Sequence, residues 1–421
     1  MNKVVFAPLS NTYSHIADCL AVADLLPRDD YRIRFLTTQD KRGFVAQQGY
    51  QVTETLELWQ ERGEQEVMSW FDDPQWFRQV VEDELQALQQ LAPDLVIGSY
   101  RYTTRLTCRR LGVPFFSIMG PNMAPSFRQF LGIPPNLVDE RSVQVMLRVY
   151  RERLEHVMAA LPGWETGDLQ EVRSLLPGDR TFFHTLPELE PLEGLDPSYC
   201  YVGPIRWQGW RDQGPGPSYS TEANCKVLVF LGSVIASHEA LGKLVGALDR
   251  PGLESVVVAP APPTPRSPRL RFTPRIDLEA ALARCDLAVV HGGLNAIHHC
   301  LHLGKPCLVL PYQVEQAQNA LRAEQIGIGR NLLGHGLKGE LEALGPGDVV
   351  KRLKVFLRYQ QQIGKTGVEQ IAGALEQAVI DAGWRAQCHA IAHEWGPRFQ
   401  RHMGAKAIAA AIREQLEPAP S

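Results

Sequence analysis

Residues 289–320 read VVHGGLNAIHHCLHLGKPCLVLPYQVEQAQNA, and the fold of the whole chain can be worked outward from them. The apolar run 287–290 has the composition of a buried parallel strand, and it breaks at His291-Gly292-Gly293 before a helical pattern resumes. A strand, a glycine turn and a helix together make an anion site. Two glycines let the backbone approach an anion closely, while the first free N–H groups of the helix and the positive end of its dipole face a diphosphate. A second strand, 307–310, ends at Pro311. Glu315 and Gln316 follow a few residues later, at the edge where open parallel sheets bind ligands, and their polar side chains suit a sugar carried on the phosphate.

The spacing of this stretch is His-x-Gly, then Asn, then Gly-x-Pro, then Pro-x3-Glu-Gln-x2-Asn-Ala. It is carried by His291, Gly293, Asn295, Gly304, Pro306, Pro311, Glu315, Gln316, Asn319 and Ala320. A lone glycine turn would say little; the full set is specific. It resembles the nucleotide-sugar signature of the family 1 glycosyltransferases of the GT-B fold. The resemblance implies an α/β chain of two Rossmann-like doubly wound domains facing a cleft, with the donor held by His291, Gly292, Gly293, Asn295, Glu315 and Gln316. Two positions depart from the signature. Ala296 stands where the family has a small hydroxyl residue, and His299 stands where a glutamate usually holds the ribose hydroxyls of the nucleotide.

A chain of 421 residues is long for one domain and comfortable for two of about 200 each. Its 43 basic and 47 acidic residues are interspersed and leave a net charge of −4, so no basic footprint for a nucleic-acid backbone exists and a small-molecule partner is expected. The eight cysteines form no Cys-x2-Cys pair and several lie in apolar runs, which predicts buried thiols in a reducing cytosol. The sequence enters a strand at its first residues and holds no apolar run near the ~20 residues that span a bilayer. A cytoplasmic protein without signal peptide or transmembrane segment is therefore expected, with peripheral contact to a membrane surface left open.

Along the chain, 4–7 predicts a strand, 8–14 a polar loop and 16–26 a helix, the first unit of a doubly wound sheet. His15 then lies at the carboxyl end of the first strand, where the resemblance places the catalytic base. A capping surface histidine is the plainer alternative. Strands are predicted at 32–37, 50–55, 93–97 and 112–118, with a helix at 103–111. After the strand at 93–97 the family has an aspartate that orients the histidine; here the matching residue is Ser99, whose hydroxyl could accept a hydrogen bond but carries no charge. Asp94 belongs to the start of that strand, and Asp18 follows His15 by one helical turn.

Trp70 and Phe71 lie in an aromatic stretch that reads as core, or as part of an acceptor pocket together with Met119, Phe127 and Phe130 from the proline-rich segment 119–136. The first domain is expected over 1–212, closed by a strand at 199–204, and a Gly/Pro linker over 213–221. The second spans 222–400. It opens on a strand running into Gly232-Ser233, and the resemblance puts Ser233 by the sugar diphosphate. Phe272 and Pro274 match the base-binding region, with Arg275 in place of a glutamine. A final helix, 401–421, is expected to return to the first domain.

His298, His299, Cys300 and His302 suggest a metal cluster, but successive helix positions point in different directions, so no metal site is assigned. The sequence therefore predicts a metal-independent inverting glycosyltransferase. It would use no cofactor beyond a UDP- or dTDP-sugar donor, and would glycosylate a hydroxyl of a small apolar or aromatic acceptor. Two other readings keep the fold: a nucleotide-sugar epimerase or hydrolase, disfavoured by the Glu-Gln-x2-Asn-Ala ending, and a glycosyltransferase-like helper with impaired catalysis, favoured by Ser99, Ala296 and His299.

Overall fold

The computed structural model describes residues 1–59, 67–209, 219–220, 224–232, 238–259, 267–332, 337–344, 348–361, 368–401 and 403–417. It divides into two compact units. Each holds a parallel sheet, as expected where apolar runs too continuous for a half-exposed strand alternate with amphipathic helices.

The first unit comprises Met1–Arg128, Val143–Trp207 and His402–Ser421. Its described strands are β1 (Asn2–Pro8), β2 (Tyr31–Thr37), β3 (Gln51–Glu54), β4 (Leu95–Ser99), β5 (Phe115–Met119), β6 (Arg180–Phe183) and β7 (Tyr199–Tyr201). They pair in the order β3-β2-β1-β4-β5-β6-β7, every pair parallel. Strand order reverses between β1 and β4, so the crevice at their carboxyl ends is where a doubly wound sheet accepts a ligand. Alternate residues of β1 serve opposite faces: Val5 and Ala7 join Leu36, Val96 and Phe115 in one cluster, while Phe6 stacks on Phe35 with ring centroids 5.2 Å apart.

The second unit comprises Gln129–Ser142 and Gln208–Arg401. Its described strands are β8 (Cys225–Phe230), β9 (Leu253–Val258), β10 (Leu270–Thr273), β11 (Leu287–Val290), β12 (Cys307–Val309) and β13 (Gly329–Asn331), in the order β10-β9-β8-β11-β12-β13. Here the order reverses between β8 and β11, which places His291, directly after β11, at the switch point. Val227, Leu228, Val229 and the whole of β11 are fully buried.

Two pieces of chain depart from a simple division in sequence. Gln129–Ser142, placed in the first domain on sequence grounds, belongs to the second unit. There Phe130 packs on Phe356 with ring centroids 5.0 Å apart, Gly132 N–H donates to Gln318 Oε1 at 2.9 Å, and Asp139 pairs with Arg352 at 3.2 Å. Gly132 has φ +74, and a Cβ there would lie 2.6 Å from the Cβ of Ala317, so only glycine permits this approach. The helix Gly404–Leu416, by contrast, belongs to the first unit. Tyr31 Oη donates to Glu417 at 2.8 Å, Arg413 donates to the Leu25 carbonyl at 2.8 Å, and Arg180 pairs with Glu414 at 2.7 Å. Among the described residues no helix is long and apolar enough to cross a membrane. Seven cysteines are buried free thiols; Cys200 is exposed, against expectation, because it occupies the three-residue edge strand β7.

Candidate active site

In the first unit the polar residues gather at the carboxyl ends of β1, β4, β5 and β6. The helix Tyr13–Ala23 starts shortly after β1, and His15 in its first turn is half-buried. Its Nδ1 is buried and has no hydrogen-bond partner. The imidazole packs on the ring of Tyr100, centroids 4.5 Å apart and planes 35° apart. Burial, and then the charge of a protonated His184, push the His15 pKa down to about 3, so the ring is neutral and able to take a proton. His184, just beyond β6, is buried. Its Nε2 lies 2.9 Å from Tyr100 Oη and its Nδ1 3.5 Å from Asp18 Oδ2. Its own pKa is lowered to about 4 by burial.

Loops on either side are held by a buried ionic network. Both carboxylate oxygens of Glu57 accept from the Ser10 N–H at 2.8 Å, and Arg101 pairs with Glu57 at 3.1 Å and with Glu84 at 2.7 Å. Arg101 also donates to Thr55 Oγ1 and the Leu56 carbonyl, so the buried guanidinium is well supplied with acceptors. This fixes the turn after β1 and the turn after β4, between which His15 and Tyr100 meet.

In the second unit the helix Leu294–Leu303 begins directly after the His291-Gly292-Gly293 turn, with Gly293 as its N-cap. Gly292 has φ +90, and a Cβ there would meet the Gln316 carbonyl at 2.7 Å. A Cβ on Gly293 would lie 2.5 Å from His291 Nε2, and one on Gly232 3.0 Å from the same ring. The His291 imidazole is therefore held between two glycines. Its Nδ1 lies 3.5 Å from the Phe230 carbonyl, which can only accept, so Nδ1 carries the proton and Nε2 of the neutral ring is left as an acceptor. Burial lowers the His291 pKa to about 4. Asn319 ties the turn to the next helix by donating to the Gly292 carbonyl at 2.9 Å and to Glu315 Oε1 at 3.1 Å.

Comparison with known proteins agrees with this geometry. Residues 266–344, which span the glycine turn and the following helix, match the model of the glycosyltransferase family 28 C-terminal domain. A PGL/p-HBAD biosynthesis glycosyltransferase of Mycobacterium tuberculosis is 23% identical over 349 residues, 78% of this chain and 73% of that protein. Among solved structures, the calicheamicin glycosyltransferase CalG4 superposes with a TM-score of 0.66 at 19% identity, over 100% of both chains. A spinosyn rhamnosyltransferase complexed with thymidine diphosphate gives 0.64 at 15% identity, over 98% of this chain and 100% of that one. The chain has the GT-B glycosyltransferase fold and is similar to family 1 glycosyltransferases.

On the donor side one expected ligand is engaged elsewhere. Gln316, expected to hold a sugar hydroxyl, is buried, and its Oε1 accepts from the Tyr312 and Gln313 N–H groups as part of a capping box. Its helix position places it at the start of Val314–Ile326, where the backbone donors claim it first. Glu315 remains partly exposed, and burial raises its carboxyl pKa. Asn295 and His299 are partly exposed on their helix, and His298 and His302 pack on Phe399. Phe272 is half-buried at the end of edge strand β10 and Pro274 is exposed beyond it. Ser233 lies outside the described residues, as does all of the expected linker 213–221 except 219–220.

The acceptor side departs further. Trp70 and Phe71, read as core or as pocket wall, and Met119, Phe127 and Phe130, expected to wall an acceptor pocket, are all buried. Trp70 and Phe71 pack on Tyr102 in the core of the first unit, because a short 3-10 helix at Val67–Phe71 turns them inward. Phe130 belongs to the second unit. Ser99 is buried at the end of β4 with an unpartnered hydroxyl, so the hydrogen bond expected between it and His15 is not formed. The residues that do surround His15, Tyr100 and His184, escaped the sequence reading. Only the position of His184 after the apolar strand at 180–183 could have suggested it.

Proposed function

We propose that this glycosyltransferase moves a hexose from a dTDP- or UDP-sugar, with inversion and without a metal, to a hydroxyl of a small apolar or aromatic acceptor. The observation that carries the reading is His15: a half-buried, neutral imidazole at the β1–β4 switch point, packed on the ring of Tyr100. As the acceptor oxygen attacks the anomeric carbon, its proton passes to this imidazole, and the bond from that carbon to the diphosphate breaks with its electron pair leaving on the diphosphate. Charge developing on the leaving group is met by the amides at the start of the helix Leu294–Leu303, by its dipole and by His291 once its Nε2 has taken up a proton, a set that needs no cation. Glu315 binds a sugar hydroxyl. The complex of the spinosyn rhamnosyltransferase with thymidine diphosphate supports a deoxythymidine nucleotide as the donor carrier. An apolar acceptor is supported by the partly buried Trp59, Trp76 and Met123 bordering the core of the first unit.

The test is a mass-spectrometric screen of the purified protein with several UDP- and dTDP-sugars against phenols and apolar alcohols. It scores nucleoside diphosphate release together with the acceptor mass shift. Transfer that survives EDTA and is lost in His15→Ala is the expected result. Absence of product with every donor would overturn the proposal, and loss of activity in EDTA would overturn its metal independence.

A further inference from the structure

No carboxylate stands at position 99, yet the ring of His15 is not left in a void. Tyr100 meets it at 4.5 Å between centroids, and to do so the Tyr100 backbone takes φ +56, a left-handed conformation that a bulky residue seldom adopts. Space for the phenol is made by Gly120 beyond β5. A Cβ at 120 would lie 2.9 Å from Tyr100 Oη. The phenol reaches His184 Nε2 at 2.9 Å, the two rings meet edge to face at 5.7 Å, and His184 Nδ1 faces Asp18 Oδ2 at 3.5 Å. Asp18, His184 and Tyr100 are all buried, at 2%, 3% and 8% exposure.

We propose that Asp18, His184 and Tyr100 form a positioning chain that replaces the missing carboxylate at residue 99, fixing the His15 ring and stabilising it when it becomes an imidazolium. The inference rests on His15 being the base. His184 Nδ1 lies 3.5 Å from the Asp18 carboxylate without a formed hydrogen bond, and with the ring proton on that side Nε2 is free to accept the Tyr100 hydroxyl proton. That bond holds the phenol in place and leaves its ring electron-rich under His15. A cation formed over an aromatic face in a desolvated place is stabilised by the ring quadrupole. The titratable groups facing this spot are Asp18 from the helix Tyr13–Ala23, Tyr100 from the end of β4 and His184 from the end of β6. Asn122 and Ser99 beside them are uncharged. Glu57, Arg101 and Glu84 pair among themselves behind Ser10.

The experiment compares Tyr100→Leu, Tyr100→Phe, His184→Gln and His15→Ala for kcat and KM, and records nitrogen-15 histidine spectra of the unmodified protein, with the His184 signal assigned by its loss in His184→Gln. Removing the ring in Tyr100→Leu is expected to lower kcat by roughly 2- to 30-fold with the donor KM unchanged, and Tyr100→Phe, which keeps the ring, to recover most of it. His184 is expected as the neutral Nδ1–H tautomer. If Tyr100→Leu does not fold, the tautomer and the kcat of His184→Gln decide: an Nε2–H tautomer, or an unaltered kcat in His184→Gln, overturns the chain. Full turnover in Tyr100→Leu with an inert His15→Ala overturns the positioning role alone. Full turnover in His15→Ala removes the base assignment, and the inference with it.

Discussion

Two histidines stand at the switch points of the two units, His15 after the first strand of its sheet and His291 after the fourth described strand of its own, and their surroundings differ. His15 and His291 each follow a central strand at a switch point, and burial holds each neutral near pH 7. His291 is gripped by its own neighbours in sequence, by Gly293 and by Gly232, and its tautomer is set by a backbone carbonyl. His15 is gripped by side chains brought from β4 and β6. Backbone geometry builds the donor side, and side-chain packing builds the side of the base. On the proposed reading the first would hold the polyanion common to all donors, while the second can be rebuilt residue by residue, as Ser99 in place of the family's aspartate illustrates.

The comparison breaks most visibly at His15. Replacing a positioned general base typically costs about 10² to 10⁴ in rate. His15→Ala should therefore lower kcat on that scale while calorimetry shows nucleoside diphosphate binding unchanged, because the proposed donor residues lie in the second unit. A mutant that binds the nucleotide poorly would show that the two histidines do not divide the work in this way.

Next in size is Gly292→Ala. The left-handed φ of +90 and the 2.7 Å approach to the Gln316 carbonyl mean that both backbone strain and a clash with main chain must be met. Together these are worth about 2 to 5 kcal/mol. The variant should melt earlier and bind nucleotide weakly. Gly43→Ala is its control: it lies in the helix Gln39–Gln47 with nothing within 4 Å of the added Cβ, and should leave the protein as stable as before or slightly more so. Equal melting of the two variants would contradict the backbone account of the donor turn.

The same contrast explains what the sequence could reveal. Alternating apolar runs and helical patterns located most strands of both sheets to within a few residues, though not the short Gly329–Asn331, since burial on both faces leaves little freedom in composition. The His291-Gly292-Gly293 turn was legible because positive φ and close approach demand glycine at fixed spacing. Tyr100 and His184 were not, because their contact with His15 arises only when β1, β4 and β6 come together in the sheet, and neither residue type is unusual where it stands. Gln316 misled because a capping bond to backbone N–H groups leaves the same residue in the same motif. Segment 129–142 misled because its attachment, Gly132 to Gln318 and Asp139 to Arg352, pairs positions far apart in the chain.

His291→Ala should weaken nucleoside diphosphate binding by about 1.5 to 3 kcal/mol, the range of a hydrogen bond to a charged group. The pH dependence sharpens it. The free histidine is protonated only below about pH 4, and its Nε2 can donate to a phosphate oxygen only after gaining a proton. A bound diphosphate raises that pKa, so binding takes up a proton. Affinity should rise as pH falls from 7 toward 5, by up to about tenfold per unit, and the slope should vanish in His291→Ala. Calorimetry in buffers of different ionisation enthalpy reads the proton uptake directly.

The smallest expected effect concerns the sugar ring of the nucleotide. His299 is partly exposed on the helix Leu294–Leu303, five positions beyond its first residue, where the resembling family carries a glutamate that accepts from both ribose hydroxyls. A histidine offers one acceptor nitrogen when neutral and none when charged. Losing one such bond costs about 0.5 to 1.5 kcal/mol, roughly 2- to 12-fold in affinity. UDP and dTDP should therefore compete within about tenfold of each other, and His299→Glu should shift the balance toward UDP by a similar factor. If competition binding gives a preference for UDP above about a hundredfold, some 2.7 kcal/mol, another group reads the ribose and the histidine has no part in donor choice.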